Sequence, residues 1–214
     1  HGRSAGQRGY VSDFSDYTSD FDCIVRHIVS NGLATGPLYM LGHSLGGLIQ
    51  MSYALENPHL PAAAMIFSAP FFGLSMSVPL FKRLAAVGLR AILPRLTLRN
   101  EIREDLLSRD SAVVAEYARD PLRHDRMSAG AFLGAMARIR GLDAGISGFR
   151  YRSLFQIPVA DPLCDSAATR RLVRRIDPSL GCVLREYPDR RHEIYNDLGR
   201  EQTFADLIEF LSSR

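Results

Sequence analysis

The sequence predicts an α/β fold, a parallel sheet whose strands alternate with helices and which a helical insertion interrupts midway. Three observations carry that reading. Short apolar runs of strand length recur at residues 38–41, 62–67, 154–160 and 182–187, separated by stretches of helical periodicity. A glycine-punctuated pentapeptide, Gly42-His43-Ser44-Leu45-Gly46, stands where the first of those runs hands over to a helix. From residue 71 to about 140 strand-like runs disappear and only helical spacing remains, as in Leu80, Phe81, Leu84, Val87 and Ile92. The core is therefore expected at residues 1–70 and 141–214, with residues 71–140 as an inserted helical cap.

Each element has a local reason. Residues 13–31 read as an amphipathic helix, because Phe14, Tyr17, Phe21, Ile24, Val25 and Ile28 recur on one face. Ser12 or Asp13 suits its start and Asn31-Gly32 its end. Leu38-Tyr39-Met40-Leu41, set off by Gly36-Pro37, is a buried strand. The helix from Leu45 to Glu56 stops at Asn57-Pro58, since the residue before a proline disfavours helix. After the insertion come the run at 154–160, a helix near 166–176, the run at 182–187 and a last helix. That helix is expected to turn Phe204, Leu207, Ile208 and Leu211 to one side.

Bulk properties exclude several functions. The net charge of +3 looks basic, but the arginines are scattered and Lys82 is the one lysine, so nucleic-acid binding is not expected. No run of eighteen apolar residues predicts a transmembrane helix. Cys23, Cys164 and Cys182 lack metal-ligand spacing and are too few for a disulfide framework, which points to a reducing, cytoplasmic compartment. The chain opens at His1 without an initiator methionine, so further N-terminal residues are expected in the gene product.

The pentapeptide is the sharpest chemical signal. A tight strand-to-helix turn lifts the Ser44 hydroxyl clear of the sheet, and bulk two residues either side would collide, which explains Gly42 and Gly46. Ser44 then lies at a helix N-terminus that favours developing negative charge, with the Leu45 N–H placed as an oxyanion donor. A serine nucleophile needs a base, and the base an orienting carboxylate, on later strand-end loops. Among six histidines His1, His27, His43 and His59 come too early or too close, and His124 falls in the insertion. His192 follows the last strand-like run and is the expected base. Asp161 ends the run at 154–160 and is the expected acid; Asp165 competes, or caps the helix beginning near Ser166. Cys164 has no activating partner of its own and reads as a buried or pocket-lining thiol.

Together Gly42-His43-Ser44-Leu45-Gly46-Gly47, Ala160-Asp161-Pro162-Leu163-Cys164-Asp165 and Arg191-His192-Glu193-Ile194-Tyr195-Asn196-Asp197 resemble the monoacylglycerol lipase and lysophospholipase branch of the α/β hydrolases, often labelled serine aminopeptidase-like. The opening His1-Gly2-Arg3-Ser4-Ala5-Gly6 is similar to the second half of that family's D-x-R-G-H-G-x-S turn, and Asp120-Pro121-Leu122 to part of its cap. The resemblance implies cofactor-free hydrolysis of a monoacyl lipid ester, with Ser44 as nucleophile, Asp161 as acid and His192 as base. It also implies that the family's first strands, and the His-Gly loop that donates the second oxyanion N–H, lie outside this chain. Pro158-Val159 departs from the glycine usual before the acid. An aminopeptidase or small-acyl esterase, or a non-catalytic remnant, are the alternatives. Residues 78–98, apolar on one side with Lys82, Arg83, Arg90 and Arg95 elsewhere, read as a cap packed on the core. Peripheral contact with a membrane stays compatible with that reading.

Overall fold

The computed structural model describes residues 2–100 and 102–213, so His1 of the opening turn lies outside the described residues. In chain order the first half holds α1 (Ser15–Ser30), β1 (Leu38–His43), α2 (Leu45–Glu56) and β2 (Ala62–Ser68). Between β2 and the next long strand the chain carries α3 (Leu80–Ile92), β3 (Thr97–Arg99), α4 (Ser111–Arg119), β4 (Arg126–Ser128) and α5 (Ala129–Gly145). The second half completes the chain with β5 (Ser153–Pro158), α6 (Ser166–Val173), β6 (Val183–Tyr187) and α7 (Arg200–Ser212).

The four longer strands form one parallel sheet in the order β1-β2-β5-β6. Central β5 is buried at every position and β2 over its last five, as expected for strands covered on both faces. Alternate residues of β2 feed two apolar clusters. Met65 and Phe67 join Met40, Leu48, Met51, Phe155 and Leu172, whereas Ala64 and Ile66 meet Leu154 and Phe210 of α7. Phe67 and Phe155 stack at 4.7 Å across adjacent strands. β1 lies at an edge of the described sheet, and its Tyr39 and Leu41 are exposed. Because all four strands run the same way, the loops after β1, β5 and β6 emerge at one sheet edge, where ligands bind in such folds.

Several expectations need correction. α1 starts at Ser15, with Phe14 buried at its cap position, and Asp13 Oδ1 accepts from the Ser15 N–H at 3.0 Å from just outside the helix. Ile24 faces solvent rather than the core. In α7 the buried residues are Thr203, Asp206 and Phe210, while Phe204 and Ile208 are exposed. A buried polar pair turns that helix: the Tyr187 hydroxyl donates to Asp206 Oδ2 at 2.8 Å, and a hydropathy pattern scores Asp206 as outward.

The insertion is not purely helical. β3 and β4 pair antiparallel over three residues each, too short for any periodicity to register. Gly9 (φ +71°) docks the opening segment here: its carbonyl accepts from Ser128 N at 2.7 Å, and a Cβ would lie 2.2 Å from Arg126 O. α5 runs across residue 140, and Ala135 and Leu142 belong to the main core. α3 lies against α5 but buries no residue, so Leu80, Phe81, Leu84, Val87 and Ile92 are all exposed, contrary to a cap packed down by its apolar side. Only Ala86 and Leu89 are half-buried.

Candidate active site

Ser44 occupies a backbone conformation that a side chain resists, φ 52° and ψ −120°. Holding it there costs roughly 1–3 kcal/mol. The surrounding bonds over-determine it. Ser44 N donates to Ser68 O at 3.0 Å, and Ser44 O accepts from Gly47, Leu48 and Phe71 N–H groups at 3.0, 3.3 and 3.0 Å. Ala69, just past the neighbouring strand β2, is the other non-glycine residue with positive φ among those described. A Cβ on Gly42 would sit 2.7 Å from Gly46 O, and one on Gly47 would sit 2.8 Å from Pro70 Cβ. Gly46 faces open space, so the steric need expected at Gly46 belongs to Gly47. The turn spends the N–H groups of Gly47 and Leu48 on Ser44 O; those of Leu45 and Gly46, at the start of α2, have no partner within the helix.

After β5 the chain folds back on the segment that follows β2. Ser75 N donates to Leu163 O at 3.1 Å, Asp165 N to Gly73 O at 2.9 Å, and Ser75 Oγ to Asp161 O at 2.7 Å. This pins the loop that carries Asp161 in spite of Pro158-Val159. Asp161 is buried and its Oδ1 accepts from Leu163 and Cys164 N–H groups at 2.8 and 3.1 Å. Its Oδ2 lies 2.8 Å from His192 Nδ1, and the two side chains are 1% and 4% exposed. A carboxylate can only accept, so Nδ1 carries the proton and Nε2 is left with its lone pair. Asp165 instead caps α6, accepting from Ala167 N at 2.9 Å.

The His192 loop is held by a second buried carboxylate. Asp197 accepts from the N–H groups of Arg191, Arg109 and Leu198 at 2.7, 2.7 and 2.9 Å, and pairs with the Arg109 guanidinium at 3.1 Å. Burial pushes its carboxyl up, but those backbone donors pull it below the usual range. Arg109 lies between β2 and β5, so Asp197 ties that stretch of chain to the loop that carries His192.

Sequence reasoning set aside His43 and did not weigh Glu193. In the fold they meet: His43 Nε2 lies 3.1 Å from Glu193 Oε1, His43 Nδ1 lies 3.0 Å from Ser68 Oγ, and the His43 and His192 rings are 4.9 Å apart. Burial pushes the Glu193 carboxyl up, yet the His43 hydrogen bond and charge outweigh this and bring it to about 2. The two residues are 150 positions apart, and no spacing could have announced the pair. Beside Glu193 a cavity of about 210 Å³ is lined by Leu107, Val113, Val114 and Tyr117.

Asp161, Cys164 and His192 bring ligand atoms within 4.8 Å of one another. The set suits a metal poorly. Burial, then the Asp161 charge, raise the Cys164 thiol well above its ordinary value, which opposes the thiolate a metal needs. His192 Nδ1 is already committed to Asp161.

The serine aminopeptidase (S33) family profile matches residues 1–199. A monoacylglycerol lipase of Mycolicibacterium smegmatis is 30% identical over the whole chain and 75% of its own length. An abhydrolase domain-containing protein of Dictyostelium discoideum is 26% identical over the whole chain, which spans 22% of that longer protein. Among solved structures, a monoacylglycerol lipase of Paleococcus ferrophilus superposes with a TM-score of 0.86 at 27% identity, covering 97% of this chain and 77% of that one.

Proposed function

The chain belongs to the serine aminopeptidase S33 family of α/β hydrolases, and we propose that it hydrolyses carboxylic esters of monoacyl lipids through a Ser44 acyl-enzyme. The observation that carries the reading is a buried His192–Asp161 pair on the same sheet edge as a serine in a strained turn. In the first step Ser44 Oγ attacks the ester carbonyl while His192 Nε2 takes its proton. Asp161 holds Nδ1–H and stabilises the imidazolium that forms, without itself being protonated. The carbonyl oxygen, now negative, points to the Leu45 N–H at the start of α2. His192 then protonates the departing alcohol, and in the second half-reaction it activates water against the acyl-enzyme.

The substrate class is supported by the Mycolicibacterium relative, whose name is monoacylglycerol lipase, and by the exposed apolar side of α3. Residues 71–140 serve as the cap. Leu80, Phe81, Leu84 and Val87, with Lys82, Arg83 and Arg90 nearby, would let it touch a lipid surface peripherally. No helix among the described residues is long and apolar enough to cross a membrane. The three cysteines are unpaired, which supports a reducing cytoplasmic compartment.

A fluorophosphonate probe should label Ser44, and Ser44→Ala should abolish both label and ester hydrolysis; persistence of either overturns the nucleophile assignment. The family's description keeps one second reading in play, an aminopeptidase. Side-by-side rates on a monoacylglycerol, a lysophospholipid and an N-terminal prolyl amide separate the two, and faster cleavage of the amide would favour the peptidase.

A further inference from the structure

We propose that Glu193 is a positioning residue for the base: through His43 it fastens the nucleophile turn to the His192 loop and holds the His43 ring against His192. The inference rests on the Ser44, His192 and Asp161 reading above.

The carboxylate of Glu193 can only accept, so the His43 Nε2–H donates to it across 3.1 Å. His43 Nδ1 shares a hydrogen bond with the Ser68 hydroxyl at 3.0 Å. Both ring nitrogens are thereby committed, and the ring cannot turn without breaking a bond at the end of β2 or on the histidine loop. Its ring centroid lies 4.9 Å from that of His192, the two planes tilted by 51°. Glu193 is anchored in turn, since its N–H donates to Leu107 O at 2.8 Å and its Oε2 accepts from Asn196 Nδ2 at 3.1 Å. Ser44 follows His43 directly, so the Glu193 carboxylate joins the nucleophile turn to the base loop, and its backbone N–H ties that loop to Leu107.

The arrangement also has an electrostatic consequence. Around His192 stand Asp161, bonded to Nδ1; the His43 ring; the Cys164 thiol; and the Glu193 charge. Around Glu193, besides His43 and His192, stand Tyr117 of α4 and Glu104, the latter paired with Arg123 at 2.9 Å. Of these groups Asp161 and Glu193 are carboxylates that pair with a histidine rather than an arginine, Asp161 with His192 itself and Glu193 with His43. A fixed carboxylate this near favours the imidazolium that acyl transfer creates.

The test is the pH profile of kcat/KM for p-nitrophenyl butyrate hydrolysis. Glu193→Gln keeps the length of the side chain and removes its charge. Its acid limb should move to lower pH by roughly half to one unit, because losing a nearby negative charge makes the base easier to deprotonate. Glu193→Asp keeps the charge but falls short of His43. It should leave the limb in place and lose roughly tenfold in kcat, since a small misplacement of a catalytic group is expensive. A side chain that only supports the fold would lower thermal stability in both variants without moving the limb. An unmoved limb in Glu193→Gln, or full kcat in Glu193→Asp, overturns the proposal; if Glu193→Gln does not fold, the kcat of Glu193→Asp decides. Ser44→Ala in the same assay separates the two readings. Retained hydrolysis there overturns the triad, whereas its loss beside an unmoved Glu193→Gln limb overturns the positioning role alone.

Discussion

Asp161 and Asp165 sit four residues apart and do different work. The first accepts from His192 Nδ1 while buried; the second accepts from the N–H that opens α6. Asp161→Asn should therefore lower kcat by ~10⁴, the loss expected when the base is offered the wrong tautomer. Asp165→Asn should cost about 1 kcal/mol or less in urea unfolding with turnover nearly intact, because asparagine caps almost as well. The opposite ranking would reassign the acid. The glycines of the nucleophile turn are similarly unequal. Gly46→Ala has open space and should fold and turn over normally, whereas Gly42→Ala and Gly47→Ala drive a Cβ against backbone or Pro70. Circular dichroism melts and ester rates on the three variants check this order. The Gly-x-Ser-x-Gly pattern was legible in the sequence, but the close approach of Gly47, in the first turn of α2, to Pro70 beyond β2 joins two separate segments and leaves no mark on either.

At the scale of elements, α3 and α7 show opposite failures of hydropathy reading. α3 has a clear apolar side, yet that side faces outward; the helix lies beside α5 with only Ala86 and Leu89 half-buried. Replacing Phe81 and Leu84 together by serine should leave the melting temperature within about a degree, because exposed side chains contribute little to folding. Co-sedimentation with anionic lipid vesicles should fall severalfold in the same variant while hydrolysis of a soluble short-chain ester is unchanged. Equal sedimentation would remove the lipid-contact role of this helix. In α7 the inward side carries Asp206, bonded to the Tyr187 hydroxyl, beside Gln156, whose Nε2 also meets Tyr187 at 2.6 Å. Tyr187→Phe leaves both partners short of a donor or acceptor, and should cost about 1–3 kcal/mol by chemical denaturation.

Over the whole molecule, buried or half-buried carboxylates tie distant segments together, Asp197 to Arg109 and Glu193 to His43, and they make stability depend on pH. Glu193, brought to about 2, and Asp197, held below its ordinary value, both have folded pKa values beneath those of the unfolded chain. The unfolded state then binds more protons between the two values, so their contribution is complete above about pH 4.5 and declines as pH falls toward 2. Denaturant midpoints should drop across that window. Asp197→Asn should flatten the drop, and should also loosen the 104–110 segment, seen as faster amide exchange at Arg109 and Leu198. A midpoint that stays level from pH 6 to 3 would contradict this origin.

The sequence by itself determined the α/β class, the positions of the four long strands, the serine turn and the strand-end loops that bear Asp161 and His192. These follow from short-range causes: alternating and helical periodicity, capping residues and glycine at a tight turn, each complete within about ten residues. What only the tertiary structure decided depends on contacts between segments far apart in the chain. His43 reaches Glu193, Asp197 reaches Arg109, Gly9 admits Arg126, and α7 turns to bring Asp206 to Tyr187. A polar side chain carries no sign in the sequence of whether water or a buried partner will satisfy it, and the folded neighbourhood alone makes that choice.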